Sequence, residues 1–169
     1  MALSKSYLKN YLYDGSGGIL TKKYKKEEKA QVSIDWGTGI GDYMGGMVMS
    51  SLSQAQKSAV KTATIAALLP MTSTATIVDF SGILTAGLVA AAATVALQST
   101  NPPARVIIPP VTPPTPALIS FFTAQMATAG DSDDETIALK AIAQGLSDII
   151  DTWARTGSWA TPFSGGPWL

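Results

Sequence analysis

Acid–base and covalent catalysis draw on a short inventory of side chains, and in this chain the inventory is thin. The 169 residues include no Cys and no His. That removes thiolate nucleophiles, imidazole bases and any zinc or haem site built on those ligands. Carboxylates, hydroxyls, Tyr and Lys remain. Asp131, Asp133 and Glu135 are spaced like the start of a calcium loop. The loop's sixth position needs Gly and its twelfth needs Glu, but Thr136 and Ile142 stand there. A glycosidase pair drawn from Asp131, Asp133 and Asp134 would lack the Trp or Tyr cluster of a sugar cleft. Asp148 and Asp151, three residues apart, read as a solvated helix face.

Two further patterns bear on ligands. Gly37, Gly39 and Gly41 follow the alternating run QVSIDW (31–36) and precede a helical stretch. Strand, glycines and helix outline a dinucleotide loop, but the third glycine comes one position early. The next acid after Asp42 is Asp79, too distant to hold a ribose. The glycines therefore read as a hinge, with Asp42 as the N-cap of the following helix. In the head, Lys5, Lys9, Lys22, Lys23, Lys25 and Lys26 interleave with Tyr7, Tyr11, Tyr13 and Tyr24. Such a mixture can track a nucleic-acid backbone and stack on bases, although an adaptable arm on a neighbouring subunit is the favoured reading. No enzyme activity, cofactor or metal is expected.

The elements that would hold these residues are marked by charge and proline. Hydrophobic residues make up 46% and charged residues 14%, with zero net charge, a composition that favours association. Residues 1–61 carry nine Lys against five acids; residues 62–169 carry three basic residues against seven acids. No apolar segment follows the first lysines, so no secretory signal is expected. The chain divides into a basic arm with a short strand and hinge (1–41) and a helical region rich in Ala, Thr and Gly (42–100). A proline-rich arm (101–116), an αα-hairpin (117–157) and an aromatic Gly/Pro tail (158–169) follow.

Within the second segment, apolar spacing predicts helices over 42–69 and 76–98, the first ended by Pro70. FSGILTAGLVAAAATVAL (80–97) is 18 residues without a charge, the length at which a membrane span becomes admissible. Gly82, Ala86 and Ala90, and again Gly87 and Ala91, recur four apart, so a neighbouring helix can approach closely. Weakly apolar Ala, Thr and Ser dominate, and no aromatic belt flanks the segment. Burial in protein and insertion in a membrane both stay open.

The proline-rich arm holds seven prolines in sixteen positions and favours polyproline II. Val106, Ile107 and Ile108 inside it are too apolar for a free linker and are expected to lie in a groove. In the hairpin, Ser132 and Glu135 form a capping box. Leu139, Ile142, Leu146, Ile149 and Trp153 make a heptad-like seam, with Lys140, Gln144, Ser147, Asp148 and Asp151 outward and Asp151 paired with Arg155. In the tail, Trp159, Phe163 and Trp168 either fold back or anchor a partner.

Segment IALKAIAQGLSDIIDTW (137–153), preceded by a proline-rich arm and followed by a Gly-Pro-aromatic tail, resembles the small accessory virion proteins of tailed bacteriophages. The likeness is one of style, spans about residues 117–155, and brings no functional residues with it. It implies a neck, tail, baseplate or capsid-associated component of the virion, assembled in the host cytoplasm and without a catalytic site. The sequence thus points to a mainly α-helical assembly protein with extended arms. Its partners would be copies of itself and other structural proteins. Trp159, Phe163, Trp168, Val106, Ile107 and Ile108 are the candidate contacts. The alternatives are a holin-like or genome-delivery membrane protein spanning 77–97, and a nucleic-acid-binding protein using the Lys/Tyr head.

Overall fold

A computed structural model describes residues 5–14, 18–22, 24, 28–47, 52–73, 76–99, 106–128, 135–161 and 164–168. The protein is mainly α-helical, as the apolar periodicity predicted. The helices are α1 (Lys5–Leu12), α2 (Lys29–Met47), α3 (Gln54–Leu68), α4 (Ile77–Gln98), α5 (Thr115–Thr128) and α6 (Glu135–Ala154). Three short strands, β1 (Val106–Ile108), β2 (Ser158–Ala160) and β3 (Gly165–Pro167), form an antiparallel sheet in the order β1-β2-β3.

The central helix is α2, and it corrects the expected strand and hinge. Residues 31–36 and the glycines 37, 39 and 41 are all helical, and Asp42 lies inside the helix rather than capping it. The alternation of Val32, Ile34 and Trp36 misled because Ile34 is 40% exposed whereas Ser33, Trp36, Ile40, Tyr43 and Met44 are buried. That second set follows the three- and four-residue helical spacing. The glycines serve packing. A Cβ at Gly37 would lie 2.8 Å from the Ile65 Cα, and one at Gly41 would lie 2.8 Å from the Lys61 Cα. One at Gly45 would meet Lys57 at 3.5 Å. Steps of four run forward on α2 and backward on α3, so the two helices are antiparallel and nearly in backbone contact. Three glycines in one helix cost about 0.5–1 kcal/mol each in propensity; the closeness of the pair offsets that.

Each remaining helix has a local cause. α3 starts at a capping box, where the Ser53 hydroxyl accepts from the Gln56 N–H and the Gln56 side chain accepts from the Ser53 N–H. It ends at Leu68, before Pro70, as expected, but the one helix expected over 42–69 is two: residues 42–47 complete α2, and the Ser53 cap starts α3 at Gln54. α4 is capped by Thr76, whose hydroxyl accepts from the Asp79 N–H at 3.0 Å, with Asp79 in the first turn. Gly87 lets α4 close on Leu68 of α3, and Thr85 meets the Thr115 hydroxyl of α5 at 2.9 Å. Edge-on ring contacts run from Trp36 to Phe80, Phe122 and Phe121, joining α2, α4 and α5. Phe121 then fills the space left by Gly145 of α6.

α6 spans the length that its periodicity predicted, but its buried seam is Ala143, Leu146, Ser147, Ile150, Trp153 and Ala154. The seam is rotated toward α1, which packs on α6, so Ser147 points inward and satisfies itself on the Gln144 carbonyl at 2.8 Å. The Ser132 end of the proposed capping box lies outside the described residues.

Candidate functional site: a face with a single exposed charge

The residues singled out in the sequence come together, but they do so inside one chain. Val106, Ile107 and Ile108 pair with Ala160, Trp159 and Ser158. Trp168 is 1% exposed, its indole N–H donates to the Ser158 carbonyl, and its ring packs on the Gly157 backbone. Trp159 is half-buried on the same sheet face as Ile107. Phe163 lies outside the described residues. The proline arm and the aromatic tail therefore dock on each other and on α6, the fold-back arrangement of the two expected for the tail, while Val106 and Ile108 keep 59% and 45% of their surface exposed. The Trp153 indole N–H donates to the Thr112 carbonyl at 2.7 Å and pins the arm further. An open cleft of about 540 Å³ lies beside that contact, lined by Val111, Pro113, Pro114, Ile149 and Trp153, with Asp148 among its residues.

The basic head is also docked. Asp35 of α2 accepts from Lys22, Tyr24 and Gln31, each at 2.8 Å, while the Tyr11 hydroxyl donates to its carbonyl at 3.1 Å. Burial opposes the charge of Asp35, but the hydrogen bonds outweigh it and hold its pKa below the ordinary value. Burial first, and Asp35 second, push Tyr11 up to about 12. Lys5 pairs with Asp148 at 2.7 Å, and Tyr7 and Tyr11 face one another with centroids 6.0 Å apart. Lys22 and Tyr11 thus make contacts within the chain; Lys23, Lys25 and Lys26 lie outside the described residues.

Asp148 and Asp151 are not a freely solvated pair. Asp151 accepts from the Arg155 guanidinium at 2.8 Å, as the i,i+4 spacing predicted, and also from the Tyr43 hydroxyl of α2. Burial raises the cost of its charge, yet Arg155 and Tyr43 keep its pKa below the usual value. Burial, reinforced by Asp151, raises that of Tyr43. These contacts clamp α2 to α6. Asp131, Asp133 and Asp134 lie outside the described residues.

Fully exposed charge is scarce on α3, α4 and α5, where Lys57 and Lys61 of α3 are half-buried and Lys61 pairs with Asp42. α4 lies between α3 and α5, touching Leu68 on one flank and Thr115 on the other. The exposed residues of α3 are Gln54, Ala55, Ser58, Thr62 and Ala66. Those of α4 are Val78, Asp79, Gly82, Ala86, Val89 and Leu97, and α5 adds Ser120, Thr123, Ala124 and Met126 among others. Asp79 is the one charge on the exposed positions of these three helices. Val78, Val89 and Leu97 are 60%, 40% and 72% exposed.

Burial here runs opposite to hydrophobicity. α4 is long and apolar enough to cross a membrane, yet only 44% of its apolar stretch is buried. α2, with five glycines and Asp35, exposes only Ala30, Gln31 and Ile34 among its described side chains. Of the two small-residue faces on α4, Gly87 and Ala91 are buried against the chain's own core, and Gly82 and Ala86 face outward. Sequence reasoning found those stripes but could not assign their sides. It missed the Gly37–Gly41–Gly45 seam, whose four-residue spacing was the available signal. No family model, no curated protein and no solved structure matches the chain.

Proposed function

We propose that this chain is a non-catalytic structural subunit of a larger assembly, of the kind that its resemblance to tailed-phage virion proteins implies. The observation that carries the reading is the three-helix face of α3, α4 and α5, whose exposed positions hold a single charge. Val78, Val89, Leu97 and Met126 stand exposed on a surface otherwise made of small and uncharged polar side chains, and exposed large apolar residues grouped in this way mark an interaction surface. The docked head, arm and tail support the same reading, because they give the subunit a rigid body that presents the face. Its mechanism is steric and solvophobic: neighbours bury Val78, Val89 and Leu97, and the charged half stays in water.

A second reading has its own support. A lipid phase would also cover an apolar α4 of 22 residues. Fractionation separates the two. An assembly subunit is recovered in buffer without detergent, at a light-scattering mass well above 17.6 kDa. Recovery from the membrane fraction alone would refute the assembly reading in favour of the lipid one.

A further inference from the structure

We infer that the face covers itself: two copies of the chain pack α4 against α4, antiparallel, about a two-fold axis. The inference rests on the assembly reading and specifies its first partner. The outward stripe of α4 runs Val78, Gly82, Ala86, Val89, the half-buried Ala93, and Leu97, with steps of four, four, three, four and four. That series reads the same in both directions. A two-fold axis between Ala86 and Val89 therefore sets Val78 opposite Leu97 of a second copy, Gly82 opposite Ala93, and Ala86 opposite Val89. Large meets large at the ends, small meets small at Gly82 and Ala93, and next to the axis each Val89 packs against the small Ala86 of the other copy, so the axes can come close. Isologous contacts of this kind are the commonest closed assembly of identical chains.

Charge selects the direction. Parallel packing would bring the two Asp79 carboxylates to roughly the interaxial distance, about 8–10 Å, in a desolvated setting. Antiparallel packing holds them about 26 Å apart at 1.5 Å per residue, well beyond a Debye length. Area is sufficient as well. α4 is about 33 Å long, and α3 and α5 flank it at about 9 Å. The three outer faces present about 700 Å² per copy, close to the ~800 Å² per partner of a stable interface.

The test uses the full chain without detergent. Wild-type protein and Ala86→Glu are compared by sedimentation equilibrium, with far-UV circular dichroism confirming that the variant folds, as expected at an exposed position. The inference expects a wild-type mass of twice 17.6 kDa and association weakened toward monomer in the variant, by on the order of 100-fold in Kd. Because the chain has no Cys, orientation is read by oxidation. Val78→Cys combined with Leu97→Cys should trap a covalent dimer, and Val78→Cys alone should not. An oligomer indifferent to Ala86→Glu overturns this inference and leaves the assembly reading standing. A monomeric wild-type chain also overturns it, and trapping by Val78→Cys alone overturns the antiparallel arrangement. A chain extracted only by detergent removes the assembly reading itself.

Discussion

Replacing Gly37 with Ala isolates the packing argument for α2 from helix propensity, because the two effects have opposite signs. Ala in a helix interior is favoured over Gly by about 1 kcal/mol, so propensity alone predicts stabilisation. The new Cβ, however, would sit 2.4 Å from the Ile65 Cγ1, 2.8 Å from its Cα and 2.9 Å from its N. Two of these atoms are backbone, so α3 must retreat by about 0.5–1 Å, a gap that forfeits a quarter to a half of each contact along the seam. Overpacking of this kind costs about 1–3 kcal/mol, which set against the propensity gain leaves a net destabilisation of up to about 2 kcal/mol. Gly45 is the internal control. Its Cβ would meet the Lys57 Cγ at 3.5 Å, an ordinary contact, so Gly45→Ala should stabilise by up to about 1 kcal/mol. With a urea slope of about 2 kcal/mol/M, the two midpoints should differ by about 1 M at a fixed protein concentration. Equal upward shifts for both variants would refute the close approach of α2 and α3.

Other consequences are open to direct measurement. Asp35→Asn should cost about 1–3 kcal/mol, and hydrogen exchange should speed up most in α1 and around Lys22; uniform acceleration across the chain would contradict the local role. Trp168→Ala should cost about 3–5 kcal/mol in thermal melts, whereas a partner-anchoring Trp would leave the isolated chain's melting temperature unchanged. The carboxyls of Asp35 and Asp151 lie below their ordinary 3.8 when folded. Their contribution is therefore full above that value and lost as pH falls through the folded pKa values. Melting temperature should drop on acidification below about pH 4, and Asp35→Asn should flatten the drop. At the alkaline end, Tyr11 ionises at 10.0 when unfolded and at about 12 when folded. Stability should fall across that interval, less steeply in Tyr11→Phe.

The parts of this fold that sequence revealed are those where one local rule acts alone. α6, α4 and the end of α3 follow apolar spacing and a proline, and each lies close to where those signals put it. α2 defeated local reasoning because its residues answer to α3. A glycine chosen for interhelical contact looks, in sequence, like a glycine chosen for flexibility, and Val32, Ile34 and Trp36 happened to alternate. The pairing of the arm with the tail was not legible for a related reason. Val106–Ile108 and Ser158–Ala160 are about 50 residues apart, and nothing local to either states that they pair. The Asp35 cluster joins Tyr11, Lys22, Tyr24 and Gln31 across a turn, so composition showed the charges but not their neutralisation. The uncharged run through α4 was visible at once; which side of it faces outward is a property of the packed molecule.

The central claim is that the exposed face of α3, α4 and α5 is a protein–protein interface. Its most direct test is the light-scattering mass of the purified chain in detergent-free buffer, measured over a concentration series beside Ala86→Glu. The account predicts a defined oligomer above 17.6 kDa that the variant reduces to single chains. A soluble monomer at every concentration, unchanged by the variant, would contradict self-association through this face.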